Sequence, residues 1–300
     1  MQFDEEAVQF DEEAVQFDGT GKVSLDHIYA QPDPRAYFST LRELDYYIPQ
    51  LAKPYFTQLI QDYRRSQRVT APKVVDVGCS YGINAALLKF DVTMDELYER
   101  YCGPDADTQS RSELLVRDQE LVRSRSRLGR AYFAGLDSSY PALSYAHTAG
   151  FIDTAVHADL EVGDPTDLQR EQLAGADLVI STGCIGYVTE RTIARVIDAN
   201  SERPPWMAHF VLRMFPFEPV AECLAELGYD TVYHERMFKQ RRFASAEEQS
   251  LVLDTLSGVG VDPRGLETDG WLYAQLNVSR PRAAKDRVFV DLFRKQESSR

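Results

Sequence analysis

The stretch Lys73-Val74-Val75-Asp76-Val77-Gly78-Cys79-Ser80-Tyr81-Gly82-Ile83-Asn84 constrains this chain more than any other. A β-branched run ends at an acid, a glycine-bounded turn follows, and Ala85-Ala86-Leu87-Leu88 continues as a helix. Strand, tight turn and helix in that order open a doubly wound α/β sheet. Gly78 and Gly82 permit positive φ or close backbone approach at the strand end. The unpaired N–H groups of the helix start face whatever lies above the turn. A ligand is therefore expected outside the carboxyl end of a parallel strand. The turn lacks the G-x-G-x-x-G dinucleotide fingerprint, and G-x-x-x-x-G-K-[ST] occurs nowhere in the chain.

The pattern D-x-G-x-x-x-G after a hydrophobic strand resembles motif I of the class I S-adenosylmethionine (SAM)-dependent methyltransferases. The resemblance implies that Asp76, Gly78, Cys79, Ser80 and Gly82 form the turn that cradles the methionine part of SAM, a co-substrate. Ser80 stands where many members carry a middle glycine, which a serine tolerates at negative φ. The implied architecture is a doubly wound, mainly parallel seven-stranded sheet with an N-terminal helical lid and a helical insertion.

Later elements arrive in the order this family requires. Residues 131–137 read as the second strand, and Ser138-Ser139-Tyr140-Pro141 starts a helix. The resemblance makes Asp137, with Ser138 beside it, the group that takes the ribose hydroxyls, since a carboxylate accepts two such donors well. Asp91 and Asp95 compete for that role but sit in a helical context. Residues 151–158 form the third strand; the resemblance then implies that Asp159 accepts from the adenine amino group and Leu160 lies against the ring. Residues 176–183 form the fourth strand, whose end, near Ser181, faces the methyl group in this fold. The segment Cys184-Ile185-Gly186-Tyr187 that follows lacks the [DNS]-P-P-[YFW] signature of amide- and nucleobase-methylating enzymes. Tyr187 reads either as a wall of the pocket or as packing under the next helix. Strands at 206–215, 229–237 and 271–279 complete the sheet, the last inserting antiparallel beside the fifth.

Four segments follow from these signals: an acidic repeat tail over 1–24, a lid over 25–70, a SAM-binding α/β domain over 71–282 with its insertion at 91–130, and a charged tail over 283–300. The tail repeats QFDEEAV at 2–8 and 9–15 and begins a third copy at Gln16-Phe17-Asp18. It reads as disordered; its heptad-like Phe and Ala stripe would alternatively suit an oligomerisation helix and so a homo-oligomer. Lid helices are expected to start at Asp33-Pro34 and near Pro54, carrying many tyrosines whose rings suit a sulfonium. Packing accounts for any single one of them, and contact with SAM stays open for the set. Six arginines between 111 and 130 read as the solvated face of a helix with Glu113, Asp118 and Glu120 as intrahelical partners, in preference to a partner-binding basic face.

A net charge of −14 opposes a nucleic-acid substrate and favours a small molecule. Four scattered cysteines without C-x-x-C spacing point to neither zinc nor a disulfide framework, and no metal is expected. No apolar run approaches the ~18 residues of a membrane span, and a reducing cytoplasm is the simplest home. Methyl transfer from a sulfonium mainly needs orientation in a dry pocket, with a base only where the nucleophile must lose a proton. His27 is the best-placed base candidate, with Tyr29 and Tyr187 as further candidate catalytic side chains; His157 and His209 lie in predicted strands and read as buried neutrals. Two other functions fit the same signals. One uses SAM's aminocarboxypropyl arm, by transfer or by closure to azetidine-2-carboxylate with release of methylthioadenosine. The other is a non-catalytic SAM-fold module.

Overall fold

Each core strand alternates its side chains between two apolar layers, and that alternation fixes what sits above and below the sheet. In the computed structural model, which describes residues 16–125 and 131–284, the first strand is β1 (Lys73–Val77). Val74 packs with the aromatic layer on one face, Val75 and Val77 with the aliphatic layer on the other. Before it come α1 (Asp26–Tyr29), α2 (Arg35–Glu43) and α3 (Ile48–Gln67). After it run α4 (Ile83–Phe90), α5 (Met94–Cys102), α6 (Arg111–Ser124), β2 (Tyr132–Asp137), α7 (Tyr140–Ala149), β3 (Thr154–His157), α8 (Asp167–Leu173) and β4 (Leu178–Thr182). The chain closes with α9 (Glu190–Asp198), β5 (Trp206–Leu212), α10 (Glu218–Glu226), β6 (Tyr229–Arg242), α11 (Ala246–Gly258) and β7 (Trp271–Pro281). The first two copies of the acidic repeat, the last arginines of the insertion and nearly all of the charged tail lie outside the described residues. No helix among the described residues is long and apolar enough to cross a membrane.

The seven strands lie in the order β3-β2-β1-β4-β5-β7-β6. The first five are parallel, and β7 runs antiparallel to both β5 and β6. Strand order reverses between β1 and β4, so a crevice opens there at the carboxyl ends of the strands.

Three local expectations change. Helix α3 begins at Ile48, with Pro49 in its first turn, and carries Pro54 inside it. An internal proline costs about 3 kcal/mol, but Tyr55, Phe56, Leu59 and Tyr63 are buried on this helix, each at about 1.5–3 kcal/mol. Burial outweighs the proline. α3 also packs along α4 and against β4, β5 and β6, so it covers the sheet rather than the crevice. Within the insertion, Asp118 is fully buried and accepts from Arg100 Nε, Tyr101 Oη and Tyr145 Oη at 2.6 Å each. Its cation lies on α5, not on its own helix, because burial demanded partners from every neighbouring element. Finally, residues 16–24 of the acidic tail are folded. A Phe17–Val23 bridge closes a turn in which Asp18 accepts from the Thr20 and Lys22 amides.

Candidate functional site

The turn after β1 is built from three residues at positive φ: Gly78 (+67°), Ser80 (+48°) and Gly82 (+77°). At Gly78 a Cβ would meet Cys184 Cβ at 2.6 Å, so only glycine fits. Ser80 departs from the expected negative φ. A left-handed non-glycine residue costs about 1–2 kcal/mol, and its amide donates to Asp137 Oδ2 at 2.8 Å. A hydrogen bond to a charged group contributes about 1.5–3 kcal/mol, enough to hold the strained residue. Gly82 caps α4, with Ala146 and Phe151 too close behind it for a side chain to be comfortable.

Asp137 ends β2 beside this turn. Its other oxygen accepts from the Ser139 amide at 2.8 Å. Desolvation raises its pKa, opposed by these backbone donors. The carboxylate thus gathers backbone donors from both flanking turns, and a ligand hydroxyl can still donate to its remaining acceptor capacity. Asp76 lies one layer lower, on the face of β1 that meets α4. It is fully buried and accepts from Asn84 Nδ2 at 3.0 Å. Desolvation, against the Asn84 bond and with the nearby Asp137 charge, pushes its pKa up to about 7. Its Oδ2, Asn84 Oδ1 and Ser80 Oγ have no partner among the described residues.

Around this turn lies a cavity of about 1110 Å3. Of the residues singled out from sequence, Gly78, Cys79, Ser80, Asp137, Ser138, Asp159, Leu160, Tyr29 and Tyr187 line it. Asp159 is exposed and Leu160 buried. Asp76, Gly82 and Ser181 lie beneath the lining instead of in it. Ser181 shares the underside of the sheet with His209 and pairs with its Nδ1 at 2.8 Å. Burial pulls His209 down to about 4, so it is neutral as expected. His157 is exposed, contrary to expectation. Its Nε2 lies 3.0 Å from the Ser138 carbonyl oxygen. His27 is exposed on α1 and does not line the cavity, which removes it as the base. The four-residue helix buries Ile28 and turns His27 outward.

The opposite wall joins tyrosines of the expected lid to strap and β6 residues that sequence reasoning missed. Asp18, Lys22, Tyr37, Tyr46, Gln240 and Arg241 line it. Tyr187 Oη donates to Asp18 Oδ2, tying the strap at 16–24 to the loop after β4. The cover over the crevice is this strap with α1, α2 and the chain as far as Pro49, while the rest of α3 packs on the sheet. A local signal for the strap was the glycine pair around Thr20, followed by Lys22 (Gly19-Thr20-Gly21-Lys22). No group of His, Cys, Asp or Glu among the described residues could hold a metal.

The strand order 3-2-1-4-5-7-6 with an antiparallel seventh strand is the class I SAM-dependent methyltransferase fold. No protein-family model and no curated protein matches the sequence. Solved structures do resemble it at a distance. One is a SAM-dependent methyltransferase from Geobacter sulfurreducens in complex with S-adenosyl-L-homocysteine (SAH). It is 14% identical, with 74% of this chain and 90% of that chain covered and a TM-score of 0.34. The plantazolicin methyltransferase BpumL, with a monoazolic desmethylPZN analog and SAH, is 13% identical over 86% of this chain and 93% of that one, with a TM-score of 0.42. A TehB-like SAM-dependent methyltransferase from Corynebacterium glutamicum is 14% identical over 72% and 85%, at 0.35. Similarity this remote adds no weight of its own, and the strand order carries the fold.

Proposed function

We propose that the chain transfers the methyl group of SAM to a small-molecule acceptor. The observation that supports this best is Asp137, a carboxylate at the cavity wall held by backbone amides beside a turn of three left-handed residues. That arrangement suits a sugar diol seated over β2, with the Gly78–Ser80 backbone against the rest of the nucleoside. The unpartnered, buried Ser80 hydroxyl at the same place offers one more polar contact.

SAM, when bound, supplies a methyl group on a sulfonium sulfur, and the acceptor's lone pair displaces SAH. The chain's own residues bind, orient and exclude water. The tyrosines and Cys184 of the cavity do not serve as bases near neutral pH. Desolvation pushes Tyr29 and Cys184 each up to about 12, and raises Tyr37 well above its ordinary value. This favours an acceptor that is nucleophilic without prior deprotonation by these groups.

The cavity also bears on the alternative in which SAM reacts with itself. Ligand pockets commonly run about 300–1,000 Å3, and this one exceeds that range. Space beyond the nucleoside half, lined by Lys22, Gln240 and Arg241, favours a second substrate over intramolecular closure. Incubation with SAM alone, then with a metabolite extract, tests the proposal by mass spectrometry. SAH formed only with extract supports methyl transfer. Methylthioadenosine formed from SAM alone overturns it in favour of the aminocarboxypropyl chemistry.

A further inference from the structure

Lys22 sits where the strap crosses the cavity, and only 8% of it is exposed. Its Nζ lies 4.9 Å from the centroid of the Tyr187 ring and 6.0 Å from that of Phe215. An ammonium has three donors and no acceptor, and burying one uncompensated costs several kcal/mol. Among the described residues no hydrogen bond and no ion pair satisfies it. The acids around it are engaged elsewhere. Asp18 accepts from Thr20 and Tyr187. Glu248 accepts from both Arg241 guanidinium nitrogens, and from the amides of Val23 and Ala244. Burial, and then the Arg241 charge, pull the lysine down to about 8 against the opposing pull of Asp18 and Glu248.

The strap is also held in place, so the lysine is presented rather than loosely draped. Val23 N–H donates to Glu248 Oε1 at 2.8 Å, and Thr255 Oγ1 donates to the Thr20 carbonyl at 2.9 Å. Gly21 adopts φ +87°, with Leu251 Cβ 2.7 Å from where a side chain would begin. A buried cation pinned against a cavity, beside an aromatic ring and with all three donors unused, calls for an anionic oxygen ligand.

We propose that Lys22 is the docking point for a carboxylate, carried either by the acceptor or by the methionine part of the co-substrate. This deepens the methyl-transfer reading and rests on it for the assignment to a substrate. The test follows the side-chain carbon signal of Lys22 by NMR in the full chain labelled with 13C-lysine. The signal is assigned by its loss in Lys22→Arg. Benzoate is titrated against benzamide, and SAH against its decarboxylated analogue. A Lys22 signal that responds to benzoate but not benzamide places the carboxylate on the acceptor. One that responds to SAH but not to the decarboxylated analogue places it on the co-substrate. In either case proton affinity of the lysine rises about tenfold at saturation, as pairing with an opposite charge requires. Lys22→Arg keeps binding of the active carboxylate, and Lys22→Gln weakens it about tenfold or more. A signal unmoved by every carboxylate overturns the proposal. If such a protein still binds SAH by calorimetry, the transferase reading survives without this site. If SAH does not bind but benzoate moves the signal, the site survives and the transferase reading fails.

Discussion

Ser80 and Asp137 share one hydrogen bond, and each explains the other. Replacing Ser80 by glycine relieves about 1–2 kcal/mol of left-handed strain against about 0.5–1 kcal/mol of extra chain entropy. Ser80→Gly is therefore expected to leave stability unchanged or raise it by up to about 1 kcal/mol in urea unfolding. Gly82→Ala, at φ +77° with Ala146 Cβ 3.1 Å from the new methyl, is expected to lose about 1–2 kcal/mol or more. A clear loss in Ser80→Gly would show that the hydroxyl holds the turn. Asp76 gives a pH prediction with a definite sign. Its folded pKa, about 7, lies above that of the unfolded chain. Its favourable contribution is complete below about pH 4 and is lost as pH rises toward 7. Asp76→Asn does not titrate, so its Tm relative to the native chain should climb between pH 4 and 7 and then level off. A Tm difference constant across that range would refute the raised pKa.

At the scale of elements, the strap at 16–24 and the loop after β4 close the cavity together. Gly21→Val cannot keep φ +87° beside Leu251 and should release the strap from α11. Two lost hydrogen bonds, about 1 kcal/mol each, correspond to a fall in Tm of roughly 3 °C at this chain size. SAH should also leave faster in stopped-flow displacement. An unchanged Tm and off-rate would mean that the strap contributes nothing to closure. This element was the least legible in the sequence. Its turn depends on Asp18 bonding locally, while its position depends on Glu248 and Thr255, more than 220 residues away. Nothing in a local pattern announces such partners. By contrast, the strand-turn-helix at 73–90 was readable, because its signals, a β-branched run and two glycines, lie within one local stretch. Helix α3 fell between these cases: Pro54 reads locally as a helix start, and distant packing carried the helix through it from Ile48.

For the whole molecule, the sheet was largely legible. The largely apolar runs at 73–77, 178–182 and 206–212 are buried on both faces, so their composition reports their place at its centre. The acids at the ends of β1, β2 and β3 were found because topology puts strand ends at one edge. Which of them reach the cavity was not legible, since side-chain alternation sends Asp76 under α4 while Asp137 meets the crevice. The wall facing the nucleoside half came from the strap and from the end of β6, segments that the element order leaves free to vary. The most direct measurement of the account is calorimetric titration of SAH into the native chain and Asp137→Ala. The account predicts one site per chain in the native protein, weakened by roughly 1.5–3 kcal/mol in the variant, the range for a lost charge-assisted hydrogen bond. No binding to the native chain, or equal affinity in both, would contradict it.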